Sequence, residues 1–140
     1  MSEFKNAKWE VFSKHTKEHK YHNNIIIRPI NGEAFIKSLT SSNGVLCGAG
    51  FETPAEALYL KKKLLVIPMK NQYEQQCNAL SLKEMGVTVL KKFNKHQYNE
   101  IAKWLKSKNT IEVSYPDCTE DILDAITLPY YNQEILPTII

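Results

Sequence analysis

The sequence lacks the features that mark several large classes of protein. Its three cysteines, Cys47, Cys77 and Cys118, are far apart and form no CxxC pattern. This spacing argues against a disulfide scaffold or a zinc finger and predicts unpaired thiols in a reducing compartment. No run of about 18 apolar residues could span a membrane, and the opening residues MSEFKNAKWE have no apolar core of a signal peptide. We expect a location in the cytoplasm, including the cytoplasmic face of the membrane.

Strong charge of one sign and a self-contained catalytic centre are also missing. The formal net charge is +3, far below that of a nucleic-acid-binding surface. The sequence has no GxSxG motif and no P-loop, and neither Cys47 nor Cys77 has a histidine nearby in sequence to activate it. We therefore expect a chain that binds a ligand without a catalytic base of its own, and no nucleic-acid partner.

Two clusters of basic residues are weak functional signals. His15, His19 and His22 have the spacing of one helical face, as zinc ligands can have. Lysines lie among them and Glu18 is their one acidic neighbour, so we predict a solvated loop and no metal. The lysine run 61–63 is interpreted as cations at a helix C-terminus, and binding of phosphate or of an anionic membrane stays as the alternative.

The order of predicted elements is that of a single α/β domain covering residues 1–140. Apolar runs predict strands at 9–13, 25–28, 44–47, 64–68 and 87–90. Helical patterns predict helices at 33–41, 53–63, 73–85, 94–107 and 117–128, the last with Thr119 as a candidate N-cap. Residues 14–24 are predicted as a loop and 129–140 as an irregular apolar tail. Because strands and helices alternate and the strands are apolar throughout, a parallel sheet is favoured.

The residues that could carry chemistry lie between Gly44 and Ala79. The first group follows a strand and leads into a helix, and is the run Gly48-Ala49-Gly50-Phe51-Glu52-Thr53. Small residues let a ligand approach the backbone, and the start of a helix attracts an anion such as a diphosphate. A plain tight turn that uses glycine for positive φ explains the same residues, so both interpretations stay open.

The helix after this loop has a predicted capping box. Thr53 suits the N-cap, and Pro54 suits the first helical position, N1. Glu56 stands at N3, where its carboxylate accepts a hydrogen bond from the Thr53 backbone N–H. A carboxylate there could instead hold the hydroxyls of a ribose, as an acidic residue does in dinucleotide folds. The two roles of Glu56 compete, and the spacing alone does not decide between them.

A second polar group opens the next helix. Glu74 and Asn78 are four residues apart and share one helical face, with Gln75 on the adjacent face. A carboxylate and two amides at one strand end suit the hydroxyls of a sugar. A solvated first turn is the alternative, since polar first turns are common.

Taken together, GAGFETPAEALYLKKKLLVIPMKNQYEQQCNA resembles the donor-binding half of GT-B glycosyltransferases, and within them the UDP-glucuronosyltransferase-like and MurG-like group. The shared elements stand in the family's order: Gly50, Thr53, Glu56, Pro68, Glu74-Gln75 and Asn78-Ala79. The resemblance covers about residues 25–107 and implies a Rossmann-like doubly wound sheet. It also implies a hexosyltransferase that moves a sugar from a nucleotide-sugar donor, expected to be a UDP-sugar, to an unidentified acceptor.

The resemblance assigns roles to individual residues. The backbone of residues 48–51 and the Thr53 hydroxyl would contact the donor diphosphate, and Glu56 would hold the ribose. Glu74 and Gln75, with Asn78 beside them, would contact the sugar, and Ile30 lies where the family holds the base. No metal and no cofactor are implied, because the nucleotide-sugar is a substrate.

The sequence departs from the family pattern in three places. Gly48 stands where plant-type members have a histidine, and the lysine run 61–63 replaces the usual Gly-Lys-Pro. The family's first strand with its glycine-rich loop, and the N-terminal acceptor-binding domain that supplies the catalytic base, have no counterpart here. We expect open strand edges at 9–13 and 44–47, possible self-association through them, and an isolated chain that is inactive. The alternatives are a non-catalytic nucleotide-sugar-binding subunit that acts with a separate acceptor-domain chain, and a nucleotide-binding regulatory module.

Overall fold

The fold is α/β, as predicted, with strands and helices that alternate along much of the chain. A computed structural model describes residues 3–131, with side chains through residue 128. The strands are β1 (Trp9–Phe12), β2 (Lys20–His22), β3 (Ile25–Arg28), β4 (Gly44–Cys47), β5 (Lys63–Val66) and β6 (Thr88–Val89). The helices are α1 (Gly32–Ser41), α2 (Glu52–Tyr59), α3 (Tyr73–Glu84), α4 (Tyr98–Lys106, after a 3₁₀ turn) and α5 (Thr119–Tyr131). None of these helices combines the length and apolar character needed to cross a bilayer.

The strands form two three-stranded sheets. In the first, of order β1-β3-β2, β3 pairs parallel with β1 and antiparallel with β2. The second has the order β4-β5-β6 and is parallel throughout. Within residues 3–131, β1 and β4 each pair on one side only, so each leaves an edge of its sheet open. This is the arrangement expected of a Rossmann-like sheet that lacks its first strand.

Helices cover both faces of the second sheet, because side chains of β5 alternate between the faces. Leu64 and Val66 lie in a buried cluster with side chains of α2 and α3. Leu65, between them, lies in a second cluster with Ile101 and Trp104 of α4. The sheet is therefore doubly wound, with α2 and α3 on one face and α4 on the other.

The cluster beneath α4 also joins the two sheets. Trp9 of β1 is 8% exposed and belongs to this cluster together with Leu65 of β5, which is fully buried. Ile25 of β3 and Leu46 of β4 pack against it from the two sides. Burial of one large apolar side chain contributes about 1.5–3 kcal/mol, so this packing holds together two sheets that are not hydrogen-bonded to each other.

The lysine run 61–63 is part of this scaffold. Lys62 Nζ donates to the Thr40 carbonyl at the end of α1, at 2.6 Å. Lys63 Nζ donates to the Leu105 carbonyl at the end of α4, at 2.9 Å. The cations therefore satisfy carbonyl groups at the C-termini of neighbouring helices, where the helix dipole favours positive charge.

The predicted loop over residues 14–24 was wrong in part, because it contains β2. This strand pairs antiparallel with β3 after a turn in which Asn23 has a φ of 52°. All three of its residues are exposed. A strand held by backbone pairing, with no buried face, leaves no apolar alternation in the sequence for a pattern to detect.

The last helix also differs from its prediction. Thr119 is its first residue rather than its N-cap, and the Asp117 carboxylate accepts from the Thr119 backbone N–H at 3.0 Å. The helix continues to Tyr131, so the predicted irregular tail was wrong for residues 129–131. The rest of that tail, 132–140, lies outside the described residues.

We predict that Gly86→Ala lowers the free energy of unfolding by about 1–2 kcal/mol, because Gly86 ends α3 with a φ of +93°, a region that costs other residues about that much. A Cβ there would lie 3.5 Å from Ile111, an ordinary contact, so the cost is one of backbone conformation. Gly32→Ala is the matched control, since a Cβ at Gly32 meets nothing within 4 Å and its φ is not positive. Equal losses for the two variants in urea unfolding would contradict this account.

We also predict self-association through the open edges of β1 and β4, because unpaired N–H and C=O groups of an edge strand pair readily with another chain. Sedimentation velocity over a range of concentrations measures it. A chain that stays monomeric at every concentration, with the circular dichroism of a folded α/β protein, would refute it.

Candidate functional site

A cleft lies at the carboxyl end of β4, between the starts of α2 and α3. Its volume is about 440 Å³, and it is lined by Cys47, Gly48, Gly50, Phe51, Glu52, Thr53, Pro54 and Gln75. Open α/β sheets bind ligands outside the carboxyl ends of their strands, which is where this cleft is found. Most of its wall comes from the loop and helix start that the sequence singled out.

The two glycines of this loop are not needed for its conformation. Among the described residues Gly86 is the glycine with a positive φ, so the interpretation of Gly48 and Gly50 as left-handed turn residues was wrong. A Cβ at Gly50 would meet nothing within 4 Å, and one at Gly48 would lie 3.4 Å from Gln75 Oε1. What glycine provides here is a stretch of bare backbone on the wall of the cleft.

The predicted capping box of α2 was also wrong. The helix begins at Glu52, and Phe51, with φ −78° and ψ −51°, precedes it without a side-chain cap. Thr53 therefore lies inside the first turn, where its hydroxyl cannot serve as the N-cap. Without a cap, the first-turn N–H groups of α2 are left for water or a ligand, and residues of that turn line the cleft.

Glu56 is consequently free of the capping role that competed with ligand binding. Its side chain is exposed and forms no hydrogen bond or ion pair with another described residue. It lies four residues after Glu52, hence on the same helical face, but outside the lining of the cleft. Glu52 belongs to the run that the sequence singled out but was given no role of its own, although its side chain lies in the lining of the cleft.

The polar residues that open α3 brace the cleft. Asn78 Nδ2 donates to the Ala49 carbonyl at 3.1 Å, which ties α3 to the loop after β4. Gln75 Oε1 accepts from the Met69 backbone N–H at 3.0 Å, which ties α3 to the loop after β5. Glu74 is exposed. The alternative of a purely solvated first turn was therefore wrong for the two amides.

The remaining candidate residues are placed differently. Ala49 is fully buried, so that its backbone alone is available to a ligand, whereas Phe51 is 77% exposed at the mouth of the cleft. Ile30 is 67% exposed in the loop between β3 and α1 and does not line the cleft. The structure thus brings the glycine loop, Thr53 and Gln75 together but leaves Ile30 apart.

The thiol in the wall of the cleft is not a nucleophile at neutral pH. Burial raises the pKa of Cys47 to about 12, so the group stays protonated. The polar side chains that line the cleft are one carboxylate, one hydroxyl and one amide, from Glu52, Thr53 and Gln75. This arrangement can bind an anion and hydroxyl groups.

A second cleft, of about 390 Å³, lies beside α1. It is lined by Glu10, Arg28, Asn31, Glu33, Ala34, Lys37, Ser38 and Ser41. Across it Arg28 Nε lies 3.2 Å from Glu10 Oε2. Burial raises the pKa of Glu10, but hydrogen bonds with Arg28 and Ser38 outweigh that effect and lower it. Glu10 and Arg28 are thus paired with each other, whereas Glu33 and Lys37 of the same lining form no ion pair with a described residue.

Comparison with known proteins gives one result. The chain matches the family model described as Glycosyl transferase family 1 over residues 5–108, a range that contains β1 to α4 and the whole first cleft. Searches of curated proteins and of solved structures gave no significant match. Since the match covers most of the chain, this protein belongs to glycosyltransferase family 1, a family of GT-B type whose members transfer glycosyl groups.

Proposed function

We propose that this chain is the donor-binding domain of a glycosyltransferase and that its donor is a nucleotide-sugar, specifically a UDP-sugar. One observation carries the proposal: Gly48 and Gly50 lie beside the uncapped start of α2. Neither glycine is required by a positive φ. Bare backbone and free N–H groups at one cleft are what a diphosphate needs. The spacing of Glu56 and Glu74-Gln75 supports the UDP-glucuronosyltransferase-like and MurG-like group as its place in the family.

The diphosphate would lie against the loop of residues 48–51 and the first turn of α2. Pro54 has no N–H, so the donors available from this turn are the backbone N–H groups of Glu52 and Thr53, with the Thr53 hydroxyl beside them. A helix start favours an anion by about 0.3–1 kcal/mol at an exposed site, and by up to about 2 kcal/mol when partly buried. The same groups would stabilise the charge that develops on the leaving diphosphate during transfer.

The sugar and ribose would extend from the diphosphate in two directions. Glu56, one turn along α2, would bind the ribose hydroxyls, and Glu52 lies between it and the cleft. Glu74 and Gln75, at the start of α3, would contact the sugar, with Asn78 fixing the loop between them. The base would lie toward Ile30, which requires a ligand that reaches beyond the cleft.

The catalytic base would come from outside the cleft, as the resemblance to GT-B enzymes implies, since the thiol of Cys47 stays protonated and Glu52 is the one carboxylate in the lining. We propose that an acceptor-binding domain or subunit supplies it, and that residues 1–140 act as one partial domain. The second candidate is a binding subunit without chemistry of its own that works with a separate acceptor-domain chain.

Glu56→Gln should weaken binding of UDP roughly ten- to hundred-fold, since a hydrogen bond to a charged group contributes about 1.5–3 kcal/mol. Isothermal titration with UDP, GDP and TDP, and with their sugars, measures it. Glu84→Gln is the matched control, because Glu84 is an exposed carboxylate at the far end of α3. The proposal fails if no nucleotide binds the unaltered chain, or if the two variants lose affinity equally.

Gly50→Val should leave stability within about 1 kcal/mol of the unaltered chain, because there is open space around a Cβ at Gly50. The added methyl groups would instead occupy the place of the diphosphate, so binding of UDP should fall at least roughly ten-fold, a cost of about 1.4 kcal/mol. Uridine, which has no phosphate, is the control ligand and should lose far less. If the affinities for UDP and uridine fell equally, the phosphates would not bind beside Gly50.

A further inference from the structure

The second sheet carries a group of lysines at its carboxyl edge, which we call the lysine rim. It consists of Lys70, in the loop between β5 and α3, and Lys91, Lys92 and Lys95, in the segment between β6 and α4. Because β5 and β6 are parallel neighbours, both segments leave the sheet at the same edge. All four lysines are exposed, and no acidic residue occurs in 67–72 or 90–97.

The rim lysines have no side-chain partner among the described residues, which they share with Lys5, Lys8, Lys14, Lys17, Lys20, Lys37, Lys83, Lys106 and Lys108, so what sets them apart is their grouping at one edge of the sheet. Lys61 forms an ion pair with Glu112 at 3.2 Å, and Lys103 one with Glu100 at 2.8 Å. Lys62 and Lys63 donate to helix-end carbonyls, as described above. The side chains of the four rim lysines form no hydrogen bond or ion pair with any residue in 3–128, the range whose side chains the structure describes. Their charge therefore has no structural use within this part of the fold.

Two large apolar side chains accompany the rim. Met69, directly before Lys70, is 55% exposed, and Phe93, directly after Lys92, is 40% exposed. Neither they nor the rim lysines line either of the two clefts. These apolar side chains lie among cations, on loops and not in a pocket. Such a surface suits an extended anionic partner with an apolar interior better than it suits a small soluble anion.

We infer that the lysine rim docks this protein on an anionic phospholipid bilayer, with the lysines at the headgroups and Met69 and Phe93 entering the interface. Each lysine near such a surface strengthens binding roughly five-fold at physiological ionic strength. The inference does not depend on which nucleotide-sugar binds in the first cleft, since no residue of the rim belongs to that site.

Co-sedimentation of the full chain with vesicles tests it. The unaltered chain should sediment with vesicles of phosphatidylcholine and phosphatidylglycerol and stay in solution with phosphatidylcholine alone. The triple variant Lys91→Gln, Lys92→Gln, Lys95→Gln should bind the anionic vesicles roughly a hundred-fold more weakly. The matched control removes the same charge at the opposite edge of the sheet, through Lys83→Gln, Lys106→Gln and Lys108→Gln, and should lose less than roughly five-fold.

Four results would overturn the inference. Equal losses for the two triple variants would indicate attraction by net charge alone, and sedimentation of the unaltered chain with neither vesicle would indicate no docking. Release from the vesicles by millimolar inorganic phosphate, with sodium chloride of equal ionic strength as its control, would indicate a small-anion site instead. Met69→Ser, which changes no charge, should weaken binding several-fold, and unchanged binding would contradict entry of an apolar tip. Circular dichroism of each variant confirms that these surface changes leave the fold intact.

Discussion

Packing of Trp9 and Leu65 in the cluster beneath α4 is the interaction on which the rest of this structure depends. The two sheets are hydrogen-bonded internally but not to each other within residues 3–131, so apolar burial joins them. The fit is close, since a Cβ on Gly44 would lie 3.1 Å from the ring of Trp104. The relative placement of the loop after β3 and the cleft after β4 therefore depends on side-chain packing, which adapts more easily than a backbone ladder.

The two helices that begin at the cleft contribute different groups to it. α3 supplies the amides that fix the neighbouring loops, through Asn78 on the Ala49 carbonyl and Gln75 on the Met69 N–H. α2 supplies an uncapped start, which costs stability in isolation but leaves N–H groups available. The start of α3 has no side-chain cap either, since Gln72 forms no capping hydrogen bond. Both helix starts beside the cleft therefore break a local rule of helix stability, which is expected at a functional site.

The sequence predicted those parts of the fold whose signal is local. β3 and β4 were placed at their observed bounds because each is a short apolar run between clear turn residues, and the start of α3 was placed correctly at Tyr73. β2 was missed because backbone pairing alone defines an exposed polar strand. The capping box failed because Thr-Pro-Ala-Glu satisfies its spacing wherever the helix begins, and tertiary placement moved the beginning to Glu52. Contacts such as the hydrogen bond from Asn78 to Ala49 join segments that are far apart in the sequence, so local sequence patterns could not predict them.

The protonated thiol of Cys47 gives the cleft a built-in chemical marker. Reagents that react with thiolates should reach it slowly, whereas Cys77, exposed on α3, is open to them. Because Cys47 ends β4 and lines the cleft, its rate of alkylation depends on how often that strand end opens to water. A molecule seated in the cleft would slow the reaction further, so occupancy of the site could be followed from the chemistry of one native side chain, without a label.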